Sequence, residues 1–237
     1  MPRFSILIPA RNEEELLPGC LASIRAAAEP FPGQVEIIVA LNRCTDRTEA
    51  IALEYGAMVV KEDAKNLAMI RNAAAKTATG EIIVTIDADS RMSRNMLSEI
   101  DRLLTKGRYV GGGVMVLPER WSLGIVATAL MLSGIILWHR ISGGLFWCWR
   151  KDFEAVGGFD EDFVSVEDMA FAKRLKAYGK RQGKRFKTIT KAHIVTSCRK
   201  FDLFGDWYLV TNPRFVWRIF TGRSRADADR FYYDVRR

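Results

Sequence analysis

EIIVTIDADS, residues 81–90, sets an apolar and β-branched run, Ile82 to Ile86, directly before Asp87-Ala88-Asp89. A short continuous run of this kind reads as a strand buried on both faces, as in a parallel sheet. Side chains two apart on a strand point the same way, so Asp87 and Asp89 converge where the strand ends. Open α/β sheets bind ligands at that edge. Two neighbouring carboxylates repel each other unless a cation offsets them. Hard oxygen ligands favour Mg²⁺ or Mn²⁺, which usually keeps phosphate oxygens in its shell. An Asp-x-Asp also arises by chance as a capped turn without chemistry. The position directly behind a buried strand is what favours the cation reading.

Similar runs recur on either side, at Phe4 to Pro9, Val35 to Leu41, Met58 to Val60 and Tyr109 to Leu117, with helical patterns between them. Strands alternating with helices predict an α/β fold with a parallel, doubly wound sheet. Asn12 is placed to cap a helix reaching about Ala28, with Glu15 completing a capping box, and Thr45 to cap the next helix. Polar turns, Pro9-Ala10-Arg11-Asn12-Glu13 and Leu41-Asn42-Arg43-Cys44-Thr45-Asp46, leave the first two strands on the edge where Asp87 and Asp89 lie. A helix N-terminus there suits an anionic ligand, although Glu13 to Glu15 also answer the helix dipole.

With 237 residues, 49% hydrophobic and 27% charged, the chain has apolar material for one sizeable core or a core with a small appendage. Cys20, Cys44, Cys148 and Cys198 lie far apart without a CxxC pair, and the N-terminus lacks a secretion-signal pattern. A reducing cytoplasm is therefore expected, and a disulfide framework or structural zinc is not. Charge is uneven: residues 1–172 carry 18 Lys+Arg against 23 Asp+Glu, residues 173–237 carry 18 against 5. The basic end suits an anionic partner, or is a solvated face.

From Trp121 to Trp138 no charged residue occurs, a length close to a membrane span. A crossing there would separate Asp87 and Asp89 from Glu167 and Asp168, so a buried or interface-lying helix is expected. Gly124 and Gly134 would lower its helicity but permit close packing, and Trp121, Trp138 and Arg140 suit an interface.

Four segments in order, SILIPARNEE (5–14), NRCTDRT (42–48), MIRNAAAKTATGEIIVTIDADS (69–90) and VGGFDEDFVSVEDMAFAKRL (156–175), make the chain resemble glycosyltransferase family 2, an inverting family with the GT-A fold. The resemblance implies a metal-dependent transferase that moves a sugar from a UDP- or GDP-type donor to an acceptor hydroxyl. It implies a nucleotide-binding, mostly parallel sheet with helices on both faces. Residues 1–200 would form that domain, with a donor half to about 117 and an acceptor half over 118–200. Residues 201–237 would be a basic, aromatic-rich helical extension.

By the same resemblance, Pro9, Ala10 and Glu13 line the nucleoside pocket. Asn42 stands where the family commonly has an aspartate contacting the base, which leaves the base open. Arg71 and Asn72 match an Arg-Asn pair at the donor site, with Arg71 suited to diphosphate. Asp87 and Asp89 match the metal pair, Asp89 as direct ligand and Asp87 on ribose or metal. Gly143 to Arg150 looks like the segment before the acceptor site, where Trp147 and Trp149 either stack on an acceptor or belong to the core. Glu167 and Asp168 match an acidic pair, Glu167 near the acceptor and Asp168 as general base, unless they only serve a helix dipole. His193 stands near a third metal ligand of some GT-A enzymes, or is structural; the other histidine, His139, ends the apolar stretch.

Two further readings stand beside this one. A nucleotidyltransferase would usually show a Gly-rich loop with a basic residue after the first strand, where this chain has Pro9-Ala10-Arg11-Asn12. A non-catalytic module binding membrane or nucleic acid would need none of Asp87, Asp89, Arg71 and Asp168. The basic end, with Phe215, Trp217, Phe220, Phe231 and Tyr232, either lies on an anionic membrane and meets a lipid-linked acceptor or covers the protein's own core.

Overall fold

A computed structural model describes residues 1–139, 141–163 and 166–220. Arg140, Phe231 and Tyr232, and the side chains of Trp138, His139 and Phe220, lie outside the described residues. One eight-stranded sheet runs through the molecule. Its strands are β1 (Phe4–Ala10), β2 (Val35–Leu41), β3 (Met58–Lys61), β4 (Ile82–Ile86), β5 (Ser90–Met92), β6 (Tyr109–Pro118), β7 (Leu145–Trp149) and β8 (Arg185–Thr196). They lie in the order β3-β2-β1-β4-β7-β6-β8-β5.

The parallel arrangement expected from the alternating pattern holds for β3, β2, β1 and β4. Beyond β4 the sheet is mixed: β7 runs antiparallel to β4 and β6, β6 is parallel to β8, and β5 is antiparallel to β8. No local pattern signals this change, because β7 is as apolar as a central parallel strand. Phe4, Ile6 and Ile8 of β1 join one core with α1 (Leu17–Ala28) and α4 (Met96–Thr105). Leu7 joins a second with α3 (Leu67–Thr77), α6 (Arg150–Ala155) and α7 (Glu167–Arg181). Period-two alternation thus feeds helical layers on both faces, each buried Leu or Ile contributing about 1.5–3 kcal/mol.

Two capping expectations are corrected. α1 begins at Leu17, after Leu16, so Asn12 and Glu15 do not cap it. Asn12 instead adopts φ 50° and its Oδ1 accepts from the Thr45 N–H at 2.8 Å. Thr45 does not cap α2 (Thr48–Glu54) either, since Asp46 Oδ1 accepts from the Thr48 N–H at 3.0 Å. Asn12 and Asp46 lace the two loops together, and Asp46 also meets the first N–H of α2.

The close crossing of β6, β7 and β8 depends on Gly112, where a methyl group would overlap the Lys187 carbonyl oxygen and lie 2.8 Å from the Trp147 ring. Gly112→Ala is expected to cost about 1–3 kcal/mol, lowering Tm by about 2–4 °C per kcal/mol. An unchanged melting curve would mean the strands are not held this tightly.

The charge-free stretch forms α5 (Leu123–His139), and no helix among the described residues is long and apolar enough to cross a membrane. Gly124 allows close packing as expected, a Cβ there meeting the Asp206 backbone at 2.7 Å, whereas Gly134 faces open space. Past β8, α8 (Arg199–Phe204), α9 (Tyr208–Thr211) and α10 (Pro213–Phe220) form a helical layer beside α5.

Candidate functional site

Asp87 and Asp89 follow β4 at the C-terminal edge of the parallel strands. α3 carries Arg71 to the same edge, its start fixed by Asn66, whose side chain accepts from the Met69 N–H at 3.2 Å. The buried Arg71 guanidinium reaches two carboxylates. One nitrogen donates to Asp87 Oδ1 at 2.7 Å and another to Glu167 Oε1. Carboxylates from distant parts of the chain thus share one cation. Burial works against the charge of Arg71, but Asp87 and Glu167 outweigh it and its pKa is raised.

The neighbouring Asn72 fixes the approach to α7. Its Nδ2 donates to the Phe159 carbonyl at 2.8 Å and its Oδ1 accepts from the Phe159 N–H at 2.9 Å. Gly158, at φ 63°, packs so closely that a Cβ would sit 2.7 Å from Asn72 Oδ1. Val166 then takes φ 59°, a left-handed conformation that costs a β-branched residue of order 1–3 kcal/mol. It delivers Glu167 and Asp168 as the opening residues of α7.

These carboxylates sit in an unfavourable field. Burial pushes Glu167 up to about 7, Arg71 opposing and Asp168 adding to the rise. Burial likewise raises Asp168, against the pull of Arg71 and with the push of Asp87. Asp89 is raised by burial and then by Asp87, while Lys200 pulls the other way. The Cys20 thiol beneath the pair is raised by burial and by the Asp89 and Asp87 charges.

Several expected residues are placed otherwise. Glu13 is buried at the edge with Pro9 and Ala10, but its carboxylate is forked by Arg199, with both N···O distances 3.0 Å. Asn42 is buried and its amide donates to the Glu62 and Ala64 carbonyls at 2.6 and 2.9 Å, so it holds the loop after β3. Glu167 lies against Arg71 rather than open to an acceptor. Arg71 in turn spends two of its nitrogens on carboxylates rather than presenting a free fork to diphosphate.

Trp147 is a correction: it is 0% exposed and its indole N–H donates to the Gly113 carbonyl at 3.1 Å, so it is core. Trp149 is another. It pairs with Ile82 at the opposite end of β4 from Asp87, under the Arg3 guanidinium at 5.0 Å. His193 is a third. Ser90 of β5 pairs with Thr196 of β8, and the Asp89 carbonyl accepts from the Ser197 N–H at 3.0 Å. His193 lies four residues further along, beside Ser93, about 13 Å away by strand rise. Sequence order placed it near Asp87 and Asp89, but strand register carries it off.

Two residues not singled out from sequence reach this edge. Arg199 and Lys200, past β8, bring positive charge to the edge that holds Glu13 and Asp89. The available signal was a basic pair three and four residues past a strand, at the start of a helix.

The sequence profile described as glycosyl transferase family 2 matches residues 5–144. The chain belongs to that family. An uncharacterized glycosyltransferase of Mycobacterium tuberculosis is 34% identical over 103 residues, 44% of each chain. The S. aureus TarS 1–349 structure in complex with UDP-GlcNAc superposes with TM-score 0.67 at 17% identity, covering 98% of this chain and 70% of that one. The mannosyltransferase PcManGT from Pyrobaculum calidifontis, in complex with GDP-Man and Mn²⁺, gives 0.65 at 21%, covering 90% and 64%. These structures show the GT-A fold. The chain spans between 24% and 44% of the length of the first curated relatives it matches.

Proposed function

We propose that the chain transfers a sugar from a UDP- or GDP-type nucleotide sugar to an acceptor hydroxyl in one inverting displacement, with Mn²⁺ or Mg²⁺ at Asp87 and Asp89 and with Asp168 as general base. The observation that carries this is the double ion pair of Arg71, which draws the carboxylates after β4 and those opening α7 to one place.

The residues fit a divalent cation. Two carboxylates are the donor set a hard cation takes, and Asp89 is raised by burial and by Asp87 against the pull of Lys200 and Arg199, a cost that a bound cation would relieve. Among the described residues no three His, Cys, Asp or Glu side chains gather as a complete ligand set. An ion held by Asp87 and Asp89 would therefore take further oxygens from diphosphate and water. When bound, it supplies charge stabilisation for the leaving diphosphate.

The chain's own groups do the rest. Arg71 fixes Asp87 and Glu167, so the donor and acceptor sides keep one spacing. Arg199 and Lys200 place positive charge beside the donor edge. Asp168, desolvated and raised above the ordinary carboxylate range, takes the acceptor proton as its oxygen attacks the anomeric carbon. Glu13, Pro9 and Ala10 form the floor on the nucleoside side. Asn42, with its amide engaged, does not choose between bases, which is consistent with leaving both UDP and GDP donors open.

Asp89→Ala is expected to abolish the Mn²⁺-dependent rise in Tm with UDP or GDP sugars, while leaving the apo protein folded. A thermal-shift screen reads both. If the variant kept the full shift, the ion would not lie at this pair. Because a base acts deprotonated, kcat should rise with pH through the raised pKa of Asp168 and level off above it. An acid limb at or below about 4, the ordinary range, would remove a desolvated Asp168 from that role.

A further inference from the structure

Among the described residues, the layer made by α5, α8, α9 and α10 exposes an apolar surface. On α5, Leu123 and Leu130 are 79% and 68% exposed, and with Val126 they fall at helical spacings on one face. Trp121 stands exposed just before the helix. Across from it, Asp206 abuts Gly124 and is gripped by Arg120 at 2.8 Å, which sets the exposed Trp207 beside the start of α5. Arg120 also holds Asp202 at 2.5 Å, fixing α8 with its exposed Leu203. On α10 the exposed face carries Arg214, Trp217 and Arg218, while Phe215 packs inward on Tyr208.

This surface reaches the proposed chemistry at two points. α8 opens with Arg199, which holds Glu13. α5 ends at His139, and four residues on, Gly143 lies so near Asp168 that a Cβ there would be 3.4 Å from Oδ2. The layer is thus tied to the donor edge through Arg199 and, through the segment that follows α5 in the chain, to the base.

We infer that this face docks on an anionic lipid bilayer and that the acceptor reaches Asp168 from that surface. The inference rests on the proposed role of Asp168. A charge-free helix with exposed leucines, flanked by exposed tryptophans and by arginines, matches the interfacial layer in polarity and sign. α5 lies on the bilayer and does not span it, since no described helix is long and apolar enough to cross. Charge argues for lipid over a second copy. The exposed face of α10 carries Arg214 and Arg218, while the carboxylates of this layer, Asp202 and Asp206, are both held by Arg120, so face-to-face self-association would bring like charges together.

The test uses the full chain and two kinds of vesicle, phosphatidylcholine alone and phosphatidylcholine with roughly a third phosphatidylglycerol. Cosedimentation with the acidic vesicles is expected at roughly 0.1 M salt, at least tenfold above neutral vesicles, and is weakened by high salt. The pair Leu130→Glu and Trp217→Glu, both on exposed positions, should reduce binding at least tenfold, with Tm and the Mn²⁺-dependent nucleotide-sugar shift unchanged. Equal binding to both vesicle types, undiminished binding by the double variant, or a concentration-dependent dimer abolished by it would overturn the inference. Loss of the nucleotide-sugar shift in the unaltered protein would instead strike the proposed function, so the two failures are separable.

Discussion

Asp168→Asn is expected to lower turnover by about 10²–10⁴-fold while leaving Mn²⁺-dependent nucleotide-sugar binding intact and raising Tm. The loss follows from removing the proton acceptor with little change of shape. The gain in stability follows from the field around it. Burial raises Asp168 and Glu167 above their ordinary values, so the folded state holds these protons to higher pH than the unfolded chain does. Between the unfolded values near 4 and the raised folded ones, up to about 7 for Glu167, the unfolded chain binds fewer protons. Stability from these groups therefore falls as pH rises through that window and stays low above it. A neutral amide at 168 removes part of the repulsion, and the Tm gain should be larger at pH 8 than at pH 5. Kinetics and melts at both pH values check this: full turnover, or a lower Tm at pH 8, would contradict it.

The second large effect is expected at Arg71. Arg71→Ala leaves Glu167 buried without its cation and Asp87 without its anchor, which should destabilise the fold by about 3–5 kcal/mol. Since the variant could fail to fold, Arg71→Ala with Glu167→Gln is the informative companion. Neutralising Glu167 should recover a large part of the stability, but not turnover, because the two carboxylate pairs would no longer be tied at one spacing. Urea unfolding of the single and double variants measures the coupling. Purely additive losses would mean that Arg71 and Glu167 do not act as a pair.

The polar network around Arg71 also explains where sequence reading stopped. Asp87 and Asp89 were legible as residues because a buried strand announces its own end, but β4 stops at Ile86 and the Ser90 N–H closes a turn on the Asp87 carbonyl, so strand alternation does not set their direction. Glu167 and Asp168 were legible only as an acidic pair opening a helix. Arg71 and Asn72 were visible as a pair, but not that Arg71 would face carboxylates and Asn72 would pin the Phe159 backbone. Trp147, Trp149 and His193 were misplaced for one reason: nothing local in a strand says which neighbour it will pair with, or in which register. β7 reads as apolar alternation whether its tryptophans face a ligand or the core. His193 is close to Asp87 and Asp89 along the motif order and four residues away along β8.

What the residues alone determined is local: strand and helix periods, the place of Asp87 and Asp89 behind a buried strand, the charge-free stretch from Trp121, and the basic end of the chain. Hydrophobic period and side-chain direction are properties of neighbouring residues, so they survive without the fold. The tertiary structure alone decided that Arg71 bridges Asp87 and Glu167, that Arg199 closes on Glu13, that Trp147 is core, and that Leu123 and Leu130 of α5 are exposed among the described residues. Each of these depends on segments that are distant in the chain, and such contacts are set by strand order, register and close packing at Gly112, Gly124 and Gly158, which no local pattern encodes.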